Sequence, residues 1–188
     1  MQHRFFALDG MRGAAAILVA VYHFYYSFAG YLAVDFFLVL SGFVLTHKYL
    51  YRTADISSRE FIWHRLARLY PLHMFTLVTW TCGYVLYTGS FPSYADGTIW
   101  TFLQHLTLTQ NVGLSPSEIS WNTPSWSISV EFWVNLLFFF LISITTPSYL
   151  LFAVAVGTLF IIYSQSGDLD VSHENFFLVI NSGMLRGI

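Results

Sequence analysis

Two ionisable residues near the N-terminus, Arg12 and His23, have the spacing of groups that share one face of a helix. They are eleven positions apart, which is about three turns plus 20°, or roughly 16 Å along the axis. Asp9 adds a carboxylate one turn before Arg12. Histidine titrates near neutral pH and can take the proton of a hydroxyl group. We interpret His23 as a catalytic candidate near the middle of a membrane span; the alternative is a core histidine hydrogen-bonded to a neighbouring helix.

A second pair of charged residues, Arg65 and Arg68, is three positions apart and therefore shares a helix face. Paired guanidinium groups can bind phosphate in bidentate fashion. The alternative is that the pair only marks the cytoplasmic side of a membrane and contacts lipid headgroups. The residues taken alone favour that alternative.

Glu131 lies inside an apolar run that follows Trp126 and Ser127. Pro124 precedes this run, and proline is tolerated in the first turn of a helix, so the segment predicts a helix start. A carboxylate at membrane depth must be paired, protonated or turned towards a polar cavity. We interpret Glu131 as a residue that lines such a cavity, in preference to a purely structural role.

Asp35 precedes the small residues Ser41 and Gly42 within another apolar run. Small residues allow helices to approach closely, so packing is the favoured interpretation of Ser41 and Gly42. Functional and structural roles are equally open for Asp35. The scattered histidines and the single cysteine lack the spacing of metal ligands, and no metal site is predicted.

The elements that position these residues must be membrane helices. Hydrophobic residues make up 56% of the 188 residues and charged residues only 10%, whereas soluble domains carry about 25% charged residues. Such a chain exposes an apolar surface, as lipid requires. Apolar runs long enough to span a bilayer predict an all-α bundle of about six transmembrane helices in a single domain over residues 1–188. The runs are Gly13–Phe28, Leu32–Leu45 extended to Tyr49, Leu69–Tyr87, Ile128–Ile144, Tyr149–Tyr163, and one that begins near Phe176.

The basic residues give this division an orientation. In the six-span arrangement every lysine and arginine falls on one side, and Lys and Arg concentrate on the cytoplasmic side. The N-terminus is therefore predicted to be cytoplasmic and the segment Thr88–Pro124 external. Part of that segment, Ile99–Leu108, has the spacing of an amphipathic interfacial helix. The basic residues are Arg4, Arg12, Lys48, Arg52, Arg59, Arg65, Arg68 and Arg186.

These features, taken in order along the chain, resemble the acyltransferase 3 family of membrane O-acyltransferases. The resemblance spans residues 5–131, and its motifs are specific jointly rather than singly. They are Leu8-Asp9-Gly10-Met11-Arg12-Gly13, the ten residues from Arg12 to His23, Val34-Asp35-Phe36-Phe37-Leu38-Val39-Leu40-Ser41-Gly42-Phe43, Arg65-x-x-Arg68-x-x-Pro71, and Trp126-Ser127-x-x-x-Glu131.

The resemblance implies transfer of an acyl group, commonly acetyl, from cytoplasmic acyl-CoA to a hydroxyl of an envelope carbohydrate or glycolipid. It implies a bacterial inner-membrane protein among membrane lipids, with acyl-CoA as co-substrate, no bound cofactor and no nucleic-acid partner. Its chains are about twice as long and have about ten spans, so this sequence is expected to be truncated on its C-terminal side. The resemblance implies that the paired Arg12 and His23 are needed for activity. With Glu131 they are the catalytic residues that we expect, and the expected substrate-binding residues are Asp9, Asp35, Arg65, Arg68, Trp126 and Ser127.

Two questions remain open at the level of sequence. His23 fits either a general base or a covalent acyl carrier. The rival class is a transporter or channel for a sugar-lipid or protons, in which His23, Arg12 and Glu131 would form a relay. Transporters often carry repeated halves, and no internal repeat is visible in this sequence.

Overall fold

The computed structural model describes residues 6–25, 32–49, 56–112, 114, 121–143 and 148–166. Every regular element in these ranges is helical, as the sequence predicts. The elements are α1 Phe6–Tyr25, α2 Leu32–Tyr49, α3 Ser58–Thr88, α4 Thr98–Thr107, a 3₁₀ turn Thr123–Ser125, α5 Trp126–Ser143 and α6 Ser148–Ser166. The predicted sixth span, near Phe176, lies outside the described residues.

Two helices begin well before the apolar runs that predicted them. Helix α1 starts at Phe6 instead of Gly13, and α3 starts at Ser58 instead of Leu69. Polar turns extend a helix beyond its apolar stretch, which hydropathy alone does not detect. The Ser57 side chain also caps α3 by accepting the Glu60 backbone N–H at 3.2 Å. Arg12, placed before the first helix by the sequence division, therefore lies inside α1.

The remaining boundaries agree closely with the sequence. Helix α2 occupies the predicted extended run, and α5 and α6 begin within two residues of theirs. Helix α4 occupies the stretch expected to be an amphipathic helix. Pro124 lies in the 3₁₀ turn that leads into α5, which confirms the predicted helix start.

Helix α5 holds the described bundle together, because it packs against both α2 and α3, while α1 packs against α2. Helices α3 and α5 run antiparallel: Phe61 at the start of α3 stacks on Phe139 near the end of α5, with ring centroids 4.1 Å apart. At the other end, the Asn122 Nδ2 group donates to Thr76 Oγ1 at 2.9 Å. An apolar core closes the Phe61 end, built from Leu45, Tyr49, Phe61, Phe139 and Ile142.

Within the described residues, two helical segments are long and apolar enough to cross a membrane. They are Leu32–Tyr49, which is α2, and Thr123–Ser143, which contains α5. A shorter apolar stretch, Phe152–Ile161, lies within α6. Helix α3 has sufficient length, but its arginines, histidines and threonines lower its hydropathy. The all-helical class is thus observed, whereas six spans were predicted.

Candidate active site

A cavity of about 250 Å³ lies between α1, α2 and α5. Its walls are mainly apolar, and its polar groups come from the N-terminal half of α5. We call it the reaction cavity. Its lining consists of Ala16, Val19, Val34, Phe37, Leu38, Ser127 and Glu131. Glu131 therefore lies on a cavity, but one whose walls are mainly apolar, whereas the sequence predicted a polar cavity.

Arg12 and His23 occupy the same stripe of α1 as the cavity-lining Ala16 and Val19. The four positions follow one another at intervals of four, three and four residues, which keeps them on one helix face. Arg12 pairs with Asp9, with the nitrogen and oxygen 3.6 Å apart. Neither Arg12 nor His23 is itself part of the lining. They lie at the two ends of the α1 wall, about three turns apart along the axis.

His23 is exposed and lies in the last turn that the structure describes for α1. Residues 26–31 lie outside the described ranges, so its predicted mid-span position stays a prediction. The Nδ1 atom is 2.8 Å from the Val19 carbonyl oxygen. Since a carbonyl oxygen only accepts, Nδ1 carries the proton and Nε2 carries the lone pair. The imidazole is thus held in the tautomer in which Nε2 is the basic atom.

A polar cluster links α2 to α5 beside the cavity. The Ser41 hydroxyl lies 3.2 Å from Glu131 Oε1 and 3.3 Å from Asn135 Oδ1, and its single proton serves one acceptor at a time. Ser41 and Asn135 are buried, and Asn135 Nδ2 has no hydrogen-bond partner among the described residues. The packing interpretation of Ser41 was therefore incomplete. Sequence reasoning missed Asn135, although its position four residues after Glu131 puts both on one face.

The two arginines of α3 are not equivalent, contrary to the paired interpretation. Arg65 is buried and lies over the Phe61 ring, 5.5 Å from its centroid, whereas Arg68 is exposed. Arg65 interacts electrostatically with Glu131, which attracts it, and with Arg68 and Arg12, which repel it. Within the described residues no carboxylate oxygen comes within 4 Å of the Arg65 guanidinium. A buried cation in this setting favours an anionic ligand.

Three other predicted binding residues lie at or near the cavity. Ser127 lines it and donates to the Pro124 carbonyl oxygen at 3.2 Å. Trp126 begins α5 and is half-buried. Asp35, in the first turn of α2, is half-buried beside the lining residue Val34. The structure thus brings Ser127 and Glu131 together in one cavity wall, whereas Trp126 and Asp35 are not part of the lining.

A second polar region, which the sequence did not single out, joins α4 to α3 and α5. His73 and His105 are fully buried, with parallel rings 5.9 Å apart. The His73 Nε2 group donates to the His105 carbonyl oxygen at 2.9 Å, and Ser129 Oγ donates to the Leu108 carbonyl oxygen at 2.7 Å. We call this region the α4 cluster. Its histidines are far apart in sequence, so only their helix faces could have suggested contact.

Comparison with known proteins gives one family. The family profile described as "Acyltransferase domain", that of acyltransferase 3, matches residues 5–185. The chain is 34% identical over 140 residues to "Acyltransferase MdmB" of Streptomyces mycarofaciens, covering 73% of this chain and 33% of that protein. It is 40% identical over 102 residues to "Protein 2 in picA locus" of Rhizobium radiobacter, covering 50% and 53%.

A third relative is named for its reaction. The chain is 39% identical over 75 residues to "O-acetyltransferase OatA" of Staphylococcus aureus, covering 37% of this chain and 12% of that protein. The matched regions thus span between about an eighth and a half of these relatives. No solved structure gives a significant match.

Proposed function

Because this chain belongs to the acyltransferase 3 family, we propose that its protein is a membrane O-acyltransferase that moves an acyl group, most simply acetyl, from acyl-CoA to a carbohydrate hydroxyl. The name of the Staphylococcus aureus relative supports an O-acetyl transfer. The donor, the acceptor and the site residues are part of this proposal. The observation that carries it is the reaction cavity, which has Glu131 in its wall and His23 at the end of its α1 stripe.

The proposed setting is a bacterial inner membrane, with about six spans in this chain and the N-terminus in the cytoplasm. Two segments suited to crossing a membrane support this setting. So do the large apolar side chains that face outward on α1, α3 and α6, such as Phe24, Leu86 and Phe152. Lipid is the surrounding in which such a surface is stable.

The proposed donor site is at the Phe61 end of α3. Arg65 lies one turn after Phe61, and Asn135 lies one turn before Phe139 on the antiparallel α5, so the two polar residues are at about the same level. A buried guanidinium is suited to bidentate contact with a CoA phosphate. Arg68 and Arg12 add positive charge around it. From this end the thioester would extend along the cavity towards His23.

In the proposed reaction His23 Nε2 takes the proton of the acceptor hydroxyl as its oxygen attacks the thioester carbonyl carbon. The new C–O bond forms, the C–S bond breaks, and the thiolate of CoA leaves with the proton from the imidazolium. The Val19 carbonyl oxygen holds Nδ1–H throughout and so orients the ring. Glu131, with Ser41 beside it, would hold the acceptor hydroxyl or stabilise the imidazolium.

The test uses the full-length protein in membranes and acetyl-CoA labelled in the acetyl group. We expect label to appear in ester linkage on envelope carbohydrate, and His23→Ala to lower the rate by about 10²–10⁴-fold, the usual contribution of a general base. The matched control is His47→Ala, because His47 is also an exposed histidine in the last turn of its helix.

Full transfer by an inserted His23→Ala protein would remove His23 from the mechanism. The transporter would become the preferred function if the wild-type protein transferred no label but moved a sugar-lipid across the membrane. An acetyl group trapped on His23 of the wild-type protein would make the histidine an acyl carrier instead of a base.

A further inference from the structure

A second cavity, of about 280 Å³, lies at the end of α3 that is remote from Arg65. Aromatic rings and hydroxyl groups form its wall, and none of the described residues that line it carries a charged side chain. We call it the aromatic cavity. The lining residues are Trp80, Tyr84, Pro92, Ser93, Tyr94, Trp121 and Thr123. Its size is near the lower end of the range for small-ligand pockets, which suits a single ring.

Trp121 is fixed in this cavity in a conformation that is costly for its residue type. Its φ is 51°, in the left-handed region that bulky residues rarely adopt. Its backbone N–H donates to the Tyr94 hydroxyl at 2.7 Å, and its Nε1–H donates to Thr101 Oγ1 at 3.0 Å. The side chain is buried. Residues held in strained conformations by several contacts cluster at ligand sites.

The aromatic rings around Trp121 are inclined to one another, so they present faces in more than one direction. Trp80 meets Trp121 at 66°, with centroids 6.1 Å apart, and stacks on Tyr84 at 5.3 Å. The ring centroid of Tyr94 lies 5.5 Å from that of Trp121. The electron-rich faces of such rings attract polarised C–H groups, while nearby hydroxyls offer hydrogen bonds. Because the described lining consists of rings and hydroxyl groups, this chemistry fits a neutral pyranose ring better than a phosphate or a carboxylate.

The aromatic cavity is close to the reaction cavity along the chain. Thr123 lines the aromatic cavity and Ser127 lines the reaction cavity, four residues later on the same continuous helical segment. That separation is about 6–8 Å along the axis. Glu131 lies one further turn along, so a sugar held against Trp80 and Trp121 is roughly 12–14 Å from Glu131 along this segment, and it approaches from the end opposite to the proposed donor site.

We infer that the aromatic cavity is the acceptor subsite and binds one pyranose ring of the carbohydrate by stacking against Trp80 and Trp121. This inference rests on the proposed function, since it locates the binding site of the carbohydrate acceptor used in that reaction. Trp80 makes one wall of the cavity, and Thr101 acts only as a positioning residue for Trp121.

The experiment is saturation-transfer NMR on the full-length protein in phospholipid nanodiscs, because glycoside detergents would compete for a sugar site. The probes are methyl α-D-glucopyranoside, methyl α-D-mannopyranoside and methyl β-D-galactopyranoside, with open-chain sorbitol as the ringless control. We expect saturation of the ring C–H protons of at least one glycoside. Trp80→Ala should weaken its binding by about 5–10-fold, whereas Trp80→Phe, which keeps a ring, should weaken it less.

The matched control is Trp100→Ala, because Trp100 is an exposed tryptophan of α4 that does not line the cavity. The inference is overturned if no glycoside is saturated above sorbitol, or if Trp80→Ala and Trp100→Ala bind the glycoside equally well. Release of CoA from acetyl-CoA is followed on the same samples. Normal CoA release without glycoside binding rejects only the subsite, whereas absent CoA release rejects the proposed function independently of the sugar result.

Discussion

The reaction cavity and the α4 cluster both have polar groups among helices, but their histidines differ in burial and in hydrogen bonding. His73 and His105 are fully buried, stack on each other and form hydrogen bonds inside the protein. His23 is exposed, with Nδ1 directed to the Val19 carbonyl oxygen of its own helix. Buried polar groups that satisfy one another specify how helices pack. We propose that the exposed imidazole of His23 serves chemistry instead.

The same contrast extends to the neighbouring polar residues. In the α4 cluster, Ser129 and Trp133 both donate to the Leu108 carbonyl oxygen, at 2.7 and 2.8 Å. These bonds stabilise the left-handed turn at Leu108, whose φ is 56°. Beside the reaction cavity, Ser41 shares one proton between two acceptors, and Asn135 Nδ2 has no hydrogen-bond partner among the described residues. His73 Nδ1 in the α4 cluster is also buried without a hydrogen-bond partner among the described residues, so the two regions differ in how their hydroxyl groups are paired and not in whether every buried polar atom is satisfied.

The largest effect after loss of the histidine base should come from the buried arginine. We expect Arg65→Ala to raise the acyl-CoA KM by about 10–100-fold with a smaller fall in kcat, because a charge-assisted phosphate contact is lost. Steady-state kinetics at varied acyl-CoA concentrations measure this split.

Arg68→Ala is the matched control for that measurement. Its side chain is exposed, so screening by water should limit its effect to a few-fold. Equal KM values for both variants and the wild-type protein would show that the two arginines do not bind acyl-CoA and serve only to orient the protein in the membrane.

A moderate effect, on stability and not on chemistry, is expected in the α4 cluster. His73→Ala removes the donor to the His105 carbonyl oxygen and leaves a buried space, so it should lower the free energy of unfolding by about 1–3 kcal/mol. Thermal unfolding in nanodiscs measures the accompanying fall in Tm. His73→Gln restores a donor and should recover part of the loss. An unchanged Tm for His73→Ala would show that the cluster does not stabilise the bundle.

The smallest effect is expected from Ser41→Ala. The change removes a hydroxyl group whose single proton is shared between Glu131 and Asn135, and a typical hydrogen bond is worth about 0.5–1.5 kcal/mol. We expect kcat to fall by about 3–10-fold while Tm changes little. Thr46→Val is a suitable control, because it also removes a hydroxyl of α2, one that contacts only the Gly42 carbonyl oxygen of its own helix. If kcat falls more for Thr46→Val than for Ser41→Ala, both effects arise from damage to α2, and Ser41 has no specific role at the cavity.

The sequence predicted the helical class and the positions of α2, α4, α5 and α6, because apolar runs and Pro124 mark these elements directly. It misplaced the starts of α1 and α3, where polar turns continue the helix. The predicted resemblance to the acyltransferase 3 family is confirmed. The assigned catalytic and binding residues stay predictions.

Tertiary geometry accounts for what the sequence could not supply. Arg65 and Arg68 look alike in sequence, yet only the packing of α3 on α5 buries one of them. The contact of His73 with His105 depends on how α4 folds back onto α3, which periodicity does not determine. Asn135 was overlooked because a single amide in an apolar run carries little signal until its partner Ser41 is known.

The most direct test compares His23→Gln with His73→Ala in the same labelled acetyl-CoA transfer assay, with Tm measured on both proteins. Glutamine keeps hydrogen bonding at position 23 but cannot accept a proton at neutral pH. We predict that His23→Gln keeps the wild-type Tm and loses transfer by at least about 100-fold. His73→Ala should lose Tm but transfer acetyl at a near wild-type rate per folded molecule. Near wild-type transfer by inserted His23→Gln, or an equal loss in folded His73→Ala, would contradict the assignment of the chemistry to the reaction cavity.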